Sequence, residues 1–375
     1  MRVRLLSAYD AGSHAYWRRG LQHMLPDAQW YTLTLPPRHF NWRVRGNPLH
    51  WAIDKRAELE QPADVLLATS MVDLATLRGL VPALSRLPTL LYFHENQFAY
   101  PAGSGQHGVL EAQMVSLYSA LAADRLAFNS VYNRDTFLSG CEALLGRLPD
   151  YVPTGLPRLL EQRSEVLPVP LLPVVPGIGH QHSRWRSRGD AGKSPLRLVW
   201  MGRFEYDKGG ESLERILGCL EQSGLHYELA LVGQRFRTTP PAFSRIEQRF
   251  AHRLVQCGWL ESSLAYHQLL READLVLSTA LHEFQGIAVL EAVQSGCLPV
   301  LPQRLVYPEL YGVAFCYASL PGDPQAEAAA AAAKIQQLAA ARAEGMVRAP
   351  QISGFSAEAL APRYRETLNS VMGAA

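Results

Sequence analysis

The stretch Leu196-Arg197-Leu198-Val199-Trp200-Met201-Gly202-Arg203-Phe204-Glu205-Tyr206-Asp207-Lys208-Gly209-Gly210 decides how the chain is organised. An apolar run too short for a helix ends at Met201, two cations follow on a glycine-flanked loop, and helical periodicity resumes from Leu213 to Leu220. This is a βα unit starting afresh in the middle of the chain. In an open α/β sheet, the loop leaving such a strand lies over the carboxyl ends of the strands, where ligands bind. Arg203 and Lys208 there have the charge to stabilise a departing diphosphate without a metal. A solvated basic turn is the other reading of the same residues.

Downstream the alternation continues. Strands are predicted at Glu228 to Val232, Val255 to Leu260, Leu275 to Ser278 and Leu298 to Leu301, with helices at Leu264 to Arg271 and Ile287 to Gln294. Asp323-Pro324 caps and opens an Ala-rich helix reaching Ala343, and Ser356 to Val371 forms a last helix. Upstream, strands at Val3 to Ala8, Val65 to Ala68, Leu90 to Phe93 and Leu126 to Phe128 alternate with helices, the signature of a parallel sheet. Between Asp150 and Ser194 the periodicity gives way to prolines and a polar stretch, with room for one strand at Val166 to Val169. The boundaries predicted are a first domain over 1–170, a connection over 171–194 and a second domain over 195–375 that includes helix 356–371. Neither domain opens on a dinucleotide fingerprint; the one literal match, Gly103 to Gly108, comes well after its strand.

Length and composition fit this division. A chain of 375 residues exceeds what one core organises, and 48% apolar with 19% charged residues is an ordinary globular mixture. A net charge of +2 excludes a molecule that is basic all over, although the first sixty residues hold a local excess of four positive charges. Five scattered cysteines without ligand spacing read as buried thiols in a reducing compartment. No run reaches the length of a membrane span and no signal segment precedes the first strand, so a cytoplasmic protein without membrane association is expected.

The second chemical signal is Glu283-Phe284-Gln285-Gly286-Ile287-Ala288-Val289-Leu290-Glu291. Backbone N–H groups near Gly286 and Ile287 open a helix and can meet phosphate oxygens. Glu291, about one turn further, reaches toward ribose hydroxyls, and Glu283 on the preceding loop toward a hexose. His94 ends an apolar strand and its polar neighbours Glu95, Asn96 and Gln97 argue for a ligand contact; a satisfied core histidine is the alternative. Gly12, Ser13 and His14 follow the first strand, where the glycine allows close backbone approach to a phosphate or hydroxyl; a tight turn capped by Ser13 is compatible. Arg38, His39, Phe40, Trp42, Arg43, Arg45 and Trp51 interleave cations with rings, as single-stranded RNA requires. A surface loop with its tryptophans packed on the domain would look the same. There is no nucleophile elbow and no metal-spaced cluster.

The loop from Gly202-Arg203 to Lys208, with Glu283 and Glu291 eight positions apart, resembles the donor half of retaining GT-B glycosyltransferases. Ser7 to His14, Leu35 to Arg43, Tyr92 to Gln97, Phe128-Asn129-Ser130 and Val306 to Glu309 are similar to the tRNA-queuosine α-mannosyltransferase family. The resemblance implies an α/β GT-B fold, two Rossmann-like domains facing a central cleft. It implies a mannosyltransferase that uses GDP-mannose, needs no metal or other cofactor, and acts with retention on queuosine in the anticodon loop of tRNA-Asp. It further implies that Arg203, Lys208, Glu283 and His94 serve catalysis, and that Gly12, Gly202, Phe284, Gly286, Ile287 and Glu291 hold the donor. Ser13, His14, Arg38, His39, Trp42, Arg43, Arg45, Asn96, Gln97 and Asn129 then meet the acceptor. A GT-B enzyme with a glycan, lipid or polyol acceptor, and a non-catalytic RNA-binding α/β protein, remain alternatives at this point.

Overall fold

A computed structural model describes residues 1–99, 109–173, 183–186, 194–236 and 239–373. The Gly103 to Gly108 match and most of the connection predicted over 171–194 lie outside them. The chain forms two units, Met1–Leu172 with Ser353–Ala375, and Pro173–Ile352.

The first unit is a six-stranded sheet of β1 (Arg2–Ser7), β2 (Gln29–Thr34), β3 (Val65–Thr69), β4 (Thr89–Phe93), β5 (Arg125–Phe128) and β6 (Ser164–Val166). The order is β2-β1-β3-β4-β5-β6, all neighbours parallel. β3 and β4 are buried along their whole length, which is why they read as unbroken apolar runs. β2 escapes the sequence pattern because it is an edge strand with half of its surface in water. The last strand falls two residues before the expected Val166 to Val169.

The second unit repeats the architecture with β7 (Leu196–Met201), β8 (Tyr227–Val232), β9 (Leu254–Gly258), β10 (Leu275–Leu277), β11 (Leu298–Pro302) and β12 (Cys316–Tyr317). Its order, β12-β11-β10-β7-β8-β9, is again parallel throughout. The chain runs outward from β7 to β9, then crosses back to β10 and runs the other way. β7 and β10 therefore flank the topological switch point, where a crevice opens at the carboxyl ends of the strands.

The last helix, Ala357–Gly373, belongs to the first unit and not to the second, where its place in the sequence had put it. Its periodicity shows that it has an apolar face but not which core receives that face. Tyr364 supplies the answer: its hydroxyl accepts from Trp17 Nε1 at 2.9 Å and donates to the Pro168 carbonyl at 2.9 Å. Arg365 adds an exposed ion pair to Asp27 and Thr367 donates to Glu165.

Candidate functional site

The two signals read from the sequence meet at the switch point of the second sheet. Leu275 pairs with Leu198 and Leu277 with Trp200, so β7 and β10 end side by side. Beyond them, Tyr206–Lys208 form one 3₁₀ turn closed by Gly209 in the left-handed region at φ 71°. The Asp207 carbonyl accepts from Leu281 N at 2.8 Å and His282 N at 3.2 Å, and Thr279 Oγ1 donates to the Lys208 carbonyl at 2.8 Å. Trp200 Nε1 in turn donates to Thr279 Oγ1. The cation loop and the glutamate loop are thereby one hydrogen-bonded body.

Within that body Lys208 Nζ donates to Glu283 Oε2 at 3.1 Å and to the His282 carbonyl at 3.0 Å, with Asp207 Oδ2 at 3.3 Å. Burial works against the charged forms of both partners. The carboxylates of Glu283 and Asp207 outweigh it at Lys208 and raise its pKa, while Lys208 overcomes it at Glu283 and lowers its pKa. The pair is therefore charged around neutral pH. Arg203, about half exposed, meets Glu205 at 2.7 Å and the same Asp207 at 3.5 Å. Asp207 is the pivot of both cations.

Gly286 at φ 73° caps the helix Ile287–Gln294, whose first internal bond runs from Leu290 N to Gly286 O. The amides of Ile287 and Ala288 thus precede the ladder, as an anion site requires. Phe284 is buried against His282, and its amide donates to Glu283 Oε1 at 3.2 Å. Glu291 is half-buried and accepts from the Tyr266 hydroxyl at 2.7 Å. Gly202 donates from its amide to Val232 O, and Phe204 N donates to Gln234 O, which ties the Arg203 loop to the exit of β8. There Gln234, Arg235, Cys257, Gly258, Trp259 and Glu261 line a cavity of about 690 Å³, with Trp259 64% exposed. None of these six was singled out from the sequence, in which Trp259 falls inside the strand expected over Val255 to Leu260; the observed strand ends at Gly258 and leaves it outside.

Gly209 tests this construction. A Cβ there would stand 2.0 Å from the Thr279 carbonyl oxygen, in a backbone region that L-residues avoid. Gly209→Ala is expected to destabilise the second unit by about 1–3 kcal/mol in denaturant melts and to weaken nucleotide binding, because the loop carrying Lys208 must shift.

In the first unit His14 and His94 stack at 4.0 Å, bordered by Trp17 and Tyr92. His94 is 5% exposed, and desolvation together with His14 pushes its pKa well down. The polar residues after it do not keep it out of the interior, contrary to the expectation drawn from them: directly beyond β4 the ring is enclosed by His14, Trp17 and Tyr92. His14 Nε2 lies 3.3 Å from Glu95 Oε2, the carboxylate next to His94 in the sequence. Ser13 does not cap its helix. The N-cap of Gly12–Met24 is Ala11, and Gly12 and Ser13 are exposed in the first turn.

The remaining residues nominated for the acceptor divide into two groups. Asn96 donates to Asn133 and Thr136 and accepts from the amides of Phe98 and Ala99; Asn129 donates to the His94 carbonyl and accepts from Asn133. Both are buried and hold the loops after β4 and β5. Gln97 contacts Met71 Sδ at 3.9 Å, and Arg45 is engaged by Asp73 and Glu111. Arg38, His39 and Trp42 are exposed, and Arg43 donates to the Pro36 carbonyl. They sit at the start of the helix Phe40–Asp54, which replaces the loop expected there; Trp51 packs in the core while Trp42 remains 57% exposed.

Among the described residues no group of three or more His, Cys, Asp or Glu side chains is arranged to hold a metal ion, and no helix is long and apolar enough to cross a membrane.

The chain is similar to known proteins along most of its length. Residues 2–171 match the family described as tRNA-queuosine alpha-mannosyltransferase N-terminal. A Drosophila melanogaster tRNA-queuosine alpha-mannosyltransferase is 31% identical over 309 residues, covering 82% of this chain and 81% of that protein. Among solved structures, an α,α-trehalose-phosphate synthase (UDP-forming) from Burkholderia vietnamiensis aligns with a TM-score of 0.64 at 16% identity, over 100% of this chain and 98% of that one. A lipopolysaccharide outer core galactosyltransferase aligns with a TM-score of 0.62 at 10% identity, over 99% of both chains. Sucrose-phosphate synthase from Thermosynechococcus elongatus gives 0.62 at 15% identity, over 100% of both. At such identities these structures show the fold, which is GT-B.

Proposed function

We propose, from the premise that this chain belongs to the tRNA-queuosine alpha-mannosyltransferase family, that it moves mannose from GDP-mannose to queuosine in the anticodon loop of tRNA-Asp, with retention and without a metal. The observation that carries the proposal is the Lys208–Glu283 contact of 3.1 Å, with Arg203 joined to it through Asp207, at the switch point of the second sheet. A cation pre-held beside the site of bond breaking stabilises the diphosphate as its charge develops and needs no reorganisation to do so.

In this reading the diphosphate lies between Arg203, Lys208 and the first-turn amides of the helix Ile287–Gln294. Glu291 accepts from the ribose hydroxyls, Glu283 orients the hexose, and the cavity beside Trp259 takes the base. The glycosyl C1–O bond to the diphosphate breaks as the acceptor oxygen bonds to C1 on the same face, and the acceptor proton passes to the departing phosphate oxygen. No separate protein base is required. For the acceptor, exposed Trp42, His39 and Arg38 offer a ring to an unpaired base and charge to the backbone. Arg45 is assigned to holding the helix Phe40–Asp54 in place, and Asn96 and Asn129 to holding the loops after β4 and β5.

The test is incubation of the protein with GDP-mannose and queuosine-containing tRNA, with and without a chelator, followed by mass analysis of the nucleosides. A gain of one hexose on queuosine, unchanged by chelation, is expected; an unmodified nucleoside, or a product only with UDP- or ADP-linked sugar, overturns the assignment.

A further inference from the structure

We propose that Tyr266 is a positioning residue for the donor nucleotide: its hydroxyl fixes the Glu291 carboxylate in the orientation that reads the ribose hydroxyls. The inference rests on the reading of Glu291 given above and adds a residue from a different element to it. Tyr266 stands on the helix Ser263–Glu272, which begins beyond β9, whereas Glu291 stands on the helix that follows β10. Its hydroxyl lies 2.7 Å from Glu291 Oε2 and 3.6 Å from the sulfur of Met201, the last residue of β7. One phenol thus touches the end of the strand that launches the Arg203 loop and the carboxylate of the helix that closes the switch point.

The chemistry favours positioning over bulk packing. A glutamate one turn into a helix has three rotatable bonds, and each freezes on binding at a cost in affinity. A short O–H···O⁻ bond to one carboxylate oxygen removes that freedom beforehand. An ionised carboxylate only accepts, which suits it to receive the protons of adjacent hydroxyls. Ser262 caps the Tyr266 helix by accepting from Ala265 N, and Leu269 and Leu270 anchor its inner face in the core, so the phenol is delivered by a fixed element.

The test compares GDP with 2′,3′-dideoxy-GDP by calorimetry on the full-length protein and its Y266F, E291Q and double variants. Tyr266→Phe is expected to weaken GDP about 5- to 10-fold while leaving dideoxy-GDP within about twofold. It should raise KM for the sugar nucleotide with kcat nearly unchanged, and the double variant should bind GDP no more weakly than E291Q alone. Equal losses for GDP and dideoxy-GDP, or no loss for either, overturn the role of Tyr266 while leaving the donor site standing. A wild-type protein that does not distinguish the two nucleotides overturns the ribose reading of Glu291 and this inference with it. The melting temperature of Y266F serves as the control: a general structural defect would lower it and would weaken both nucleotides alike.

Discussion

A Lys208→Met protein is expected to transfer hexose about 10²–10³-fold more slowly than the wild type, the range seen when one preorganised charge-stabilising donor is removed. The methionine keeps much of the length and apolar stem, so the loss falls on charge. Two consequences separate this from a packing defect. First, Glu283 and Asp207 lose the cation they flank at 3.1 and 3.3 Å, and two carboxylates then face an incoming diphosphate. GDP binding should weaken as well as turnover. Second, the pH dependence of GDP binding should differ from that of the wild type. In the wild type Lys208 holds the Glu283 pKa low against its burial. Without Lys208 the desolvation penalty prevails, the Glu283 pKa rises, and protonation removes one of the two repelling charges. Relative to the wild type, whose paired Glu283 stays ionised, the variant should therefore gain GDP affinity as the pH falls from 8 to 5.5. Calorimetry at the two pH values reads this directly. A variant with wild-type turnover would mean that the diphosphate does not leave over this loop.

The reason Lys208 could be singled out from the sequence is physical. Buried parallel strands print mostly apolar runs, so β7 and β10 and the loops that leave them are legible, and the helix Ile287–Gln294 is read with its observed ends. What adjacency in the sequence cannot supply is which loops face each other. The Asp207 carbonyl receiving the amides of Leu281 and His282 is a consequence of strand order, and Tyr266 reaches Glu291 for the same reason. In the first unit the legible signal was polarity after a strand. Polarity does not distinguish a side chain that meets a ligand from one that holds a loop: Asn96 and Asn129 are polar because buried backbone and side-chain groups around Asn133 need partners. The same ambiguity hid the helix Phe40–Asp54, whose Pro48, Gly46 and interleaved arginines blur any helical stripe.

The second large effect concerns the crossing of the C-terminal segment into the first unit. A chain ending at Ile352 is expected to lose the folded first unit while the second keeps its own unfolding transition, because everything removed lies in the first core. Leu360, Tyr364, Leu368 and Val371 are at most 1% exposed, and burying each such side chain stabilises by about 1.5–3 kcal/mol. Their loss alone approaches the whole stability of a typical domain, about 5–15 kcal/mol. Truncation also strips partners from buried polar groups. Trp17 Nε1 and the Pro168 carbonyl both depend on the Tyr364 hydroxyl, and each buried group left without a partner costs a further 1–3 kcal/mol or so. Hydrogen exchange should show protection vanishing from β1, β3 and β4 and persisting in β7, β8 and β10. The single substitution Tyr364→Phe separates the two contributions: it keeps the ring and removes only the hydroxyl, so it should destabilise the first unit by about 1–3 kcal/mol without unfolding it. Retained protection in β1 after truncation would show that the last helix decorates the first core and does not complete it. The aromatic layer of Trp17, Tyr92 and Tyr364 lies against the stacked His14 and His94, so any loosening of this helix is expected to disturb that histidine pair as well.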